Sequence, residues 1–334
     1  MTRLIFPQKY RPKKESSPKN HQRHPQTTSG KDWKNLVKNP SFIAEHLQQS
    51  SHQNPSLLLF QWNRSDNPSC WPLRLLDCDL HVREIDKVPF INSLASTRIV
   101  DSCNGLLCVE TSQYKKSPPS LSLWNPATTT FRDLPISITA NCFFNFDDWV
   151  TGFGFGPIVN DYKIVRTYVA DCCVNRVEVF SISRELWKAI DVGNLKGVLL
   201  NSETVTANGS ILWIGLDLRL YEASEDNIEV KEGEYDVRVI VSFDIAKEVF
   251  TLIPKPHLDY GTPMKLTAYE NKLAMLCDIG KGDDGTSNLI DLWVLDEGKC
   301  SSRETWSWTA RYAGSPFLCR RSHSFLSTIY SMTI

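Results

Sequence analysis

From Ser56 onward the apolar residues fall in short runs, Leu57-Leu58-Leu59-Phe60, Leu106-Leu107-Cys108-Val109 and Ile211-Leu212-Trp213-Ile214 among them, divided by Asn, Gly, Asp, Pro and Ser. Runs of that length between turn-forming residues predict strands, and long stretches at helical period are missing. One spacing recurs. Trp124 and Phe131, Phe180 and Trp187, and Phe243 and Phe250 each lie seven apart, and Leu134, Ile190 and Ile253 follow three residues later. Between the members of each pair sits a turn former: Asn125-Pro126, Ser181 with Ser183, or Asp244. Each unit therefore predicts an antiparallel hairpin with two aromatics packed on one face.

Upstream of these hairpins lie further turns, Asn104-Gly105, Asn160-Asp161, Asn208-Gly209 and Asn271-Lys272, at steps of 56, 48 and 63 residues. A repeat near 50 residues holding about four strands is the signature of a propeller blade, with Kelch repeats the nearest comparison. The expected fold is all-β, a Kelch-like β-propeller of five to six blades. Its units run Ser56 to Pro89, Leu94 to Pro135, Val150 to Asp191, Lys196 to Pro254, and Met264 to about Arg311. The last is irregular, with Trp293 and Trp306 thirteen apart around the polar insert from Asp296 to Arg303. The repeated aromatics are read as core, where truncating one costs about 3 to 5 kcal/mol. Ring closure depends on whether the chain after Arg311 supplies the closing strands; an unclosed ring leaves an exposed edge.

Composition sharpens this picture. The chain has 334 residues, 41% apolar, with 37 Lys and Arg against 38 Asp and Glu. That is enough to bury a large core and is far from a collagen-like or wholly disordered balance. The charge is unevenly spread, because Met1 to Lys38 carries ten basic residues against Glu15 and Asp32, a net +8. Up to Gly30 this stretch has almost nothing apolar after Phe6 and is expected to be a disordered basic tail. Neither a secretory leader nor a membrane span is visible, so a soluble intracellular protein, cytoplasmic or nuclear, is expected. The ten cysteines contain no Cys-x-x-Cys pair and are read as reduced, buried thiols.

Little in the sequence points to bond chemistry. Gly152-x-Gly154-x-Gly156 lacks the spacing of a dinucleotide loop, and Tyr162 to Val169 after it reads as a strand, leaving phosphate without a helix N-terminus. These glycines are read instead as permitting close strand packing. Asp147-Asp148 and Asp283-Asp284 show no calcium-loop pattern and are read as solvated loops. No nucleophile signature appears among the histidines, cysteines and serines. No cofactor, metal or catalytic residue is expected.

Several phrases together resemble the F-box associated domain of plant F-box proteins. They are Asp101-Ser102-Cys103-Asn104-Gly105-Leu106-Leu107-Cys108, Leu123-Trp124-Asn125-Pro126-Ala127-Thr128, Gly152-Phe153-Gly154-Phe155-Gly156-Pro157 and Asp161-Tyr162-Lys163-Ile164-Val165-Arg166, continued by Val177-Glu178-Val179-Phe180-Ser181 and Ile240-Val241-Ser242-Phe243-Asp244. Upstream, Trp33 to Leu47 resembles the final part of an F-box, without the family's Leu-Pro helix start. The organisation expected is a basic tail over 1–30, a short helical F-box remnant over 31–50, the propeller-like domain over 56–311 and an atypical tail over 312–334, as in a truncated family member. The resemblance implies a non-enzymatic substrate receptor of a Skp-cullin-F-box ubiquitin ligase. In it Trp33, Leu36, Val37, Phe42, Ile43 and Leu47 would touch the Skp-type adaptor, and the propeller would present a protein target to the cullin complex. Target contacts are expected on the long segments Lys115 to Pro119, Ala140 to Trp149, Leu218 to Asp236 and Gly280 to Ser287, with Trp149 as an aromatic anchor. The alternatives are a binding domain uncoupled from the ligase, and a propeller enzyme or nucleic-acid binder working through the basic tail. No membrane or nucleic-acid partner is expected.

Overall fold

The computed structural model describes residues 55–61, 73–76, 82–85, 96–112, 119–126, 130–139, 148–170, 173–220, 236–259, 261–269, 271–281, 288–296, 306–314 and 327–333. The chain divides into two units, Met1–Gln53 and Asn54–Ile334. The expected basic tail and F-box remnant lie outside the described residues.

The described residues of the second unit form five four-stranded antiparallel sheets. The first joins β1 (Pro55–Gln61), β2 (Leu73–Leu76) and β3 (Val82–Ile85) to β20 (Ser327–Thr333). The second holds β4 (Ser96–Cys103), β5 (Leu106–Ser112), β6 (Ser120–Asn125) and β7 (Thr130–Asp133). The third holds β8 (Asp148–Gly156), β9 (Asp161–Ala170), β10 (Cys173–Ser181) and β11 (Leu186–Ile190). The fourth holds β12 (Val198–Ala207), β13 (Ser210–Asp217), β14 (Arg238–Asp244) and β15 (Val249–Ile253). The fifth holds β16 (Met264–Tyr269), β17 (Lys272–Lys281), β18 (Asn288–Leu295) and β19 (Trp306–Gly314). The second to fifth blades follow the units read from the repeat, and the first takes a fourth strand from beyond its unit.

In the second to fifth blades the first strand is innermost, and β20, β4, β8, β12 and β16 touch in that order. Within the segment read as an atypical C-terminal tail, β20 takes the innermost place of the first blade. It pairs with β1 over seven residues, from Pro55 opposite Thr333 to Gln61 opposite Ser327. The two ends of this unit are thus held in one sheet, and the edge that would have stayed open is filled.

The turns repeat as the spacing requires. Asn104-Gly105 and Asn208-Gly209 close two-residue hairpins with φ of 50° and 76°, and 46° and 70°. Asn tolerates the left-handed region and glycine enters it freely, which a type I′ turn demands at both central positions. Asn160 and Asn271 take the same sign at the equivalent turns. The aromatic pairs seven apart face each other across the outer hairpins: Trp124 opposite Phe131, Phe180 opposite Trp187, and Phe243 opposite Phe250. The hairpin turns are pinned as expected, Asp244 Oδ1 accepting the Ala246 and Lys247 N–H at 2.9 Å each. In the fifth blade a register shift puts Trp308, not Trp306, opposite Trp293.

The core lies between blades. Val100, Cys108, Leu123, Phe153, Ile164 and Phe180 join the second and third. Val165, Val177, Ile211, Trp213, Phe243 and Phe250 join the third and fourth. Leu212, Ile240, Leu266, Met275 and Trp306 join the fourth and fifth. Alternate residues of one strand thus serve two interfaces, as Ile211 and Leu212 do. Two latches recur beside these cores: Trp187 Nε1 donates to Pro135 O, and Trp306 Nε1 to Pro254 O, both at 2.8 Å and both 52 residues back. A third link is polar, Lys163 Nζ of β9 donating to Ile245 O at 2.9 Å and pairing with Glu248 at 2.5 Å.

The glycines of β8 let the fourth blade approach. A Cβ on Gly152 would stand 2.3 Å from Trp213 Cζ2, and one on Gly154 2.9 Å from Ile211 Cγ1. The strand β9 that follows leaves no helix N-terminus at this motif, as the spacing had implied.

Two consequences are measurable. Removing residues 327–334 should leave β1 unpaired on its inner side and convert a single cooperative unfolding transition into a broadened one at lower temperature, with light scattering reporting association through the exposed edge. Gly152→Ala should cost about 3 kcal/mol, because the buried Trp213 cannot retreat, seen as a lower urea midpoint at unchanged slope.

Candidate functional site

Antiparallel order sorts the connections onto two ends of the ring. At one end lie the tight turns: Asn104-Gly105, 157–160, Asn208-Gly209, 270–271, and the four-residue turns 126–129, 182–185 and 245–248. From the other end leave most of the longer connections: 62–72, 113–119, 218–237 and 282–287 within blades, and 86–95, 134–147, 254–263 and 315–326 between them; the exception is 296–305, between β18 and β19 at the tight-turn end. All four segments singled out in the sequence belong to this second end, although 113–118, 140–147, 221–235 and 282–287 lie outside the described residues. The chain enters the ring at Pro55, opposite Thr333, at the tight-turn end. The candidate adaptor residues Trp33, Leu36, Val37, Phe42, Ile43 and Leu47 precede that point and are outside the described residues.

The long-loop end has a rigid ledge, Leu134 to Thr139, that the sequence did not announce. Leu134 N–H donates to Leu121 O at 2.9 Å, and Pro135 O takes the Trp187 indole. Ser137 Oγ lies 2.6 Å from the Tyr168 hydroxyl. The Thr139 N–H donates to Glu178 Oε1 at 2.9 Å, and its hydroxyl reaches the same oxygen. The fully buried Glu178 also accepts Tyr168 Oη at 3.3 Å and Arg176 Nε at 3.2 Å. Burial pushes the Tyr168 phenol up, which keeps it a donor. With Ser137 and Thr139 turned inward, Ile136 and Ile138 point out, 67% and 41% exposed. The usual alternation is inverted: hydroxyls are in and isoleucines out.

Behind the loops the second, third and fourth blades share a buried charge cluster. Glu110 accepts Arg98 Nε at 3.0 Å and Nη2 at 2.6 Å, Arg166 Nη2 at 3.4 Å, and the Thr151 hydroxyl. Arg166 Nη2 donates to Pro119 O at 3.1 Å, and Arg98 Nη1 to Ser202 O at 3.4 Å. A buried carboxylate costs far less with two guanidiniums beside it than alone, so the cluster stabilises the inner strands in one relative position.

The roots of the fourth blade's long connection are fixed by two forks. Arg219 pairs with Asp217 at 2.7 and 2.8 Å, and Arg238 with Asp236 at 2.6 Å through Nε. Lys255 Nζ joins Asp236 at 3.0 Å. Hydrogen bonds from Arg219 hold the Asp217 carboxyl below its usual range; at Asp236, burial opposes Arg238 and Lys255, and the cations prevail. Between the forks, 221–235 carries six acidic residues against Lys231.

Trp149 lies one residue into β8, half-buried, opposite Tyr168, with its N–H donating to Asp148 Oδ1 at 2.8 Å. It sits at the long-loop end on the innermost strand, less exposed than a free-standing anchor. Among the described residues, no group of three or more His, Cys, Asp and Glu is arranged to hold a metal ion. The described cysteines Cys103, Cys108, Cys173 and Cys277 are free thiols. Burial raises Cys103 and Cys277 to about 12 and pushes Cys108 up as well, so these three stay protonated and are poor nucleophiles.

Sequence reasoning missed the ledge, the buried Glu110 and Glu178, and the two Trp-to-Pro latches. Only the latches left a signal, the repeated 52-residue spacing.

The chain is 28% identical over 265 residues to an F-box protein of Arabidopsis thaliana, covering 74% of this chain and 58% of that one. It is 23% identical over 289 residues to a putative F-box/kelch-repeat protein of the same plant, covering 83% and 71%. The chain thus spans about three fifths to seven tenths of the curated relatives it matches. A family model described as the F-box associated beta propeller domain matches residues 50–317, which takes in most of all five sheets; the chain belongs to the F-box associated beta-propeller family.

Proposed function

We propose that the protein is the substrate-recognition subunit of a Skp-cullin-F-box ubiquitin ligase. The long-loop end holds a target protein, and the segment Trp33 to Leu47 contacts the Skp-type adaptor. The observation that carries the reading is the separation of ends: all the long connections but 296–305 leave from one end, and the chain enters at the other. Such a receptor does no bond chemistry. It raises the concentration of target lysines near a charged conjugating enzyme, so that transfer becomes effectively intramolecular. The inverted ledge supports it, because Ile136 and Ile138 expose apolar surface on a backbone fixed by buried hydrogen bonds, which lowers the entropy lost on binding.

Family membership and the F-box names of the relatives support the adaptor half of the reading, and the test is direct. The purified full chain, beside a version carrying a complete F-box ahead of Trp33, is presented to a Skp-type adaptor. Capture by both chains is the expected result. Capture only by the completed version would leave a binding domain uncoupled from the ligase.

The target half has its own test. Ile136→Asp and Trp149→Ala should each weaken the binding of proteins that co-purify with the wild-type chain about tenfold or more, the scale of a binding hot spot. Ile158→Asp, at an 87% exposed position on the tight-turn end, should leave that binding unchanged. Equal loss from both ends would remove the assignment.

A further inference from the structure

The inner strands of the second and fourth blades, β4 and β12, are not neighbours in the ring, yet they touch. Two contacts span them. Arg98 Nη1 reaches Ser202 O at 3.4 Å, and Thr204 Oγ1 lies 3.4 Å from Val100 O and 3.1 Å from Asp101 Oδ2. Both strands change register where they meet, β4 between Ile99 and Asp101 and β12 between Leu200 and Thr204. Thr206, two residues on, donates to Phe153 O of β8 at 2.7 Å, so β12 grips both inner strands of the preceding two blades.

Asp101 is the charged member of this contact. It is 8% exposed, and its oxygens take the Ser102 N–H at 2.7 Å and the Thr204 hydroxyl. Among the described residues, what else faces it is neutral. Cys103 is on its own strand and Cys108 is directly opposite on β5; both thiols stay protonated. The nearby cations are committed elsewhere, since Arg98 and Arg166 both point at Glu110. Glu110 and Asp101 are therefore unlike buried carboxyls, one neutralised by two guanidiniums and one by none.

We propose that Asp101 is a proton-operated clasp between the inner strands of the second and fourth blades, closed when its carboxyl is protonated and loosened when it ionises. An ionised carboxylate without a cation is more stable in any opened state that admits water, so ionisation shifts the population toward opening. Burial raises Asp101 from 3.8 to about 7, against the Ser102, Thr204 and Thr206 hydrogen bonds that lower it. The sign follows. The closed form keeps the proton that the open form releases, so opening becomes easier as pH rises from about 4 toward 7 and is independent of pH above that. The clasp therefore works on the acid side of neutrality, and because β4 and β12 both start at the long-loop end, opening between them reaches that end.

Amide hydrogen exchange of the full chain, corrected for intrinsic rates, tests this between about pH 5.5 and pH 8. That range avoids Asp217, Asp236, Asp244, Glu248 and Asp291, all held below the usual carboxylate range. The opening constant for β4 and β12 amides should rise about tenfold per pH unit up to about pH 7 and then level. Asp101→Asn, equal in size and without charge, should abolish the slope. A slope retained in Asp101→Asn, or no slope in the wild-type chain, overturns the proposal. Should the variant fail to fold, the wild-type carboxyl titrated by carbon NMR decides: a transition near 7 supports the clasp, and one in the ordinary carboxylate range sinks it.

Discussion

A four-stranded sheet has two faces and cannot bury either by itself, so every blade of this ring depends on its neighbours. The constraint that makes this possible is the pairing of β1 with β20, which seats the two ends of the unit in one sheet. Loop-closure entropy is lost when distant segments join, but it grows only slowly with the length enclosed, so one seven-residue ladder suffices to tie so long a ring. Once closed, each interface can alternate its residues between two neighbours. Ile211 and Trp213 go one way and Leu212 the other. Glycine does the fine adjustment, because β8 can approach Trp213 only where no Cβ intervenes.

Closure also divides the surface. Tight turns, two of them Asn-Gly, leave little room for variation at one end outside 296–305, since their backbone demands particular residues. The other end carries connections of any length, because its anchoring is done by side chains at the strand ends. Glu178 holds the ledge, Glu110 ties the second blade to the third, and the Asp217 and Asp236 forks fix the roots of the acidic insert. Recognition chemistry can therefore change above these anchors without disturbing the cores below.

Much of the fold was legible because it rests on local rules that the chain repeats. Aromatics seven apart became cross-strand pairs, and Asn at each inner turn took a positive φ. The reading failed where a long-range partner decides. Ser327–Thr333 carries no sign that its partner begins at Pro55. Trp293 was matched to Trp306, because a register shift between Leu292 and Trp293 cannot be seen in spacing. Trp306 is instead the latch to Pro254, the counterpart of Trp187. At the candidate site, the four long segments were found by length and polarity, but the ledge was not. Ser137 and Thr139 read as surface residues, and only their bonds to Tyr168 and Glu178 reverse that expectation.

The buried and anchoring carboxyls act on stability with opposite signs. Arg219 holds Asp217 low and Arg311 holds Asp291 low, while at Asp236 and Glu248 the cations outweigh burial. Such groups release protons on folding, so their contribution is present above the unfolded carboxylate range and lost as pH falls through it. Asp101 takes up a proton on folding, so its effect is least harmful in acid and worsens toward about pH 7. The two sets leave a maximum in weakly acidic solution, with partnered carboxylates setting its acid side and one unpartnered carboxyl its neutral side. The difference lies in placement. Asp217, Asp236 and Glu248 sit at strand ends or turns and Asp291 lies directly opposite Arg311, so an Arg or Lys reaches each, whereas Asp101 sits where two inner strands meet and, among the described residues, faces hydroxyls, thiols and backbone.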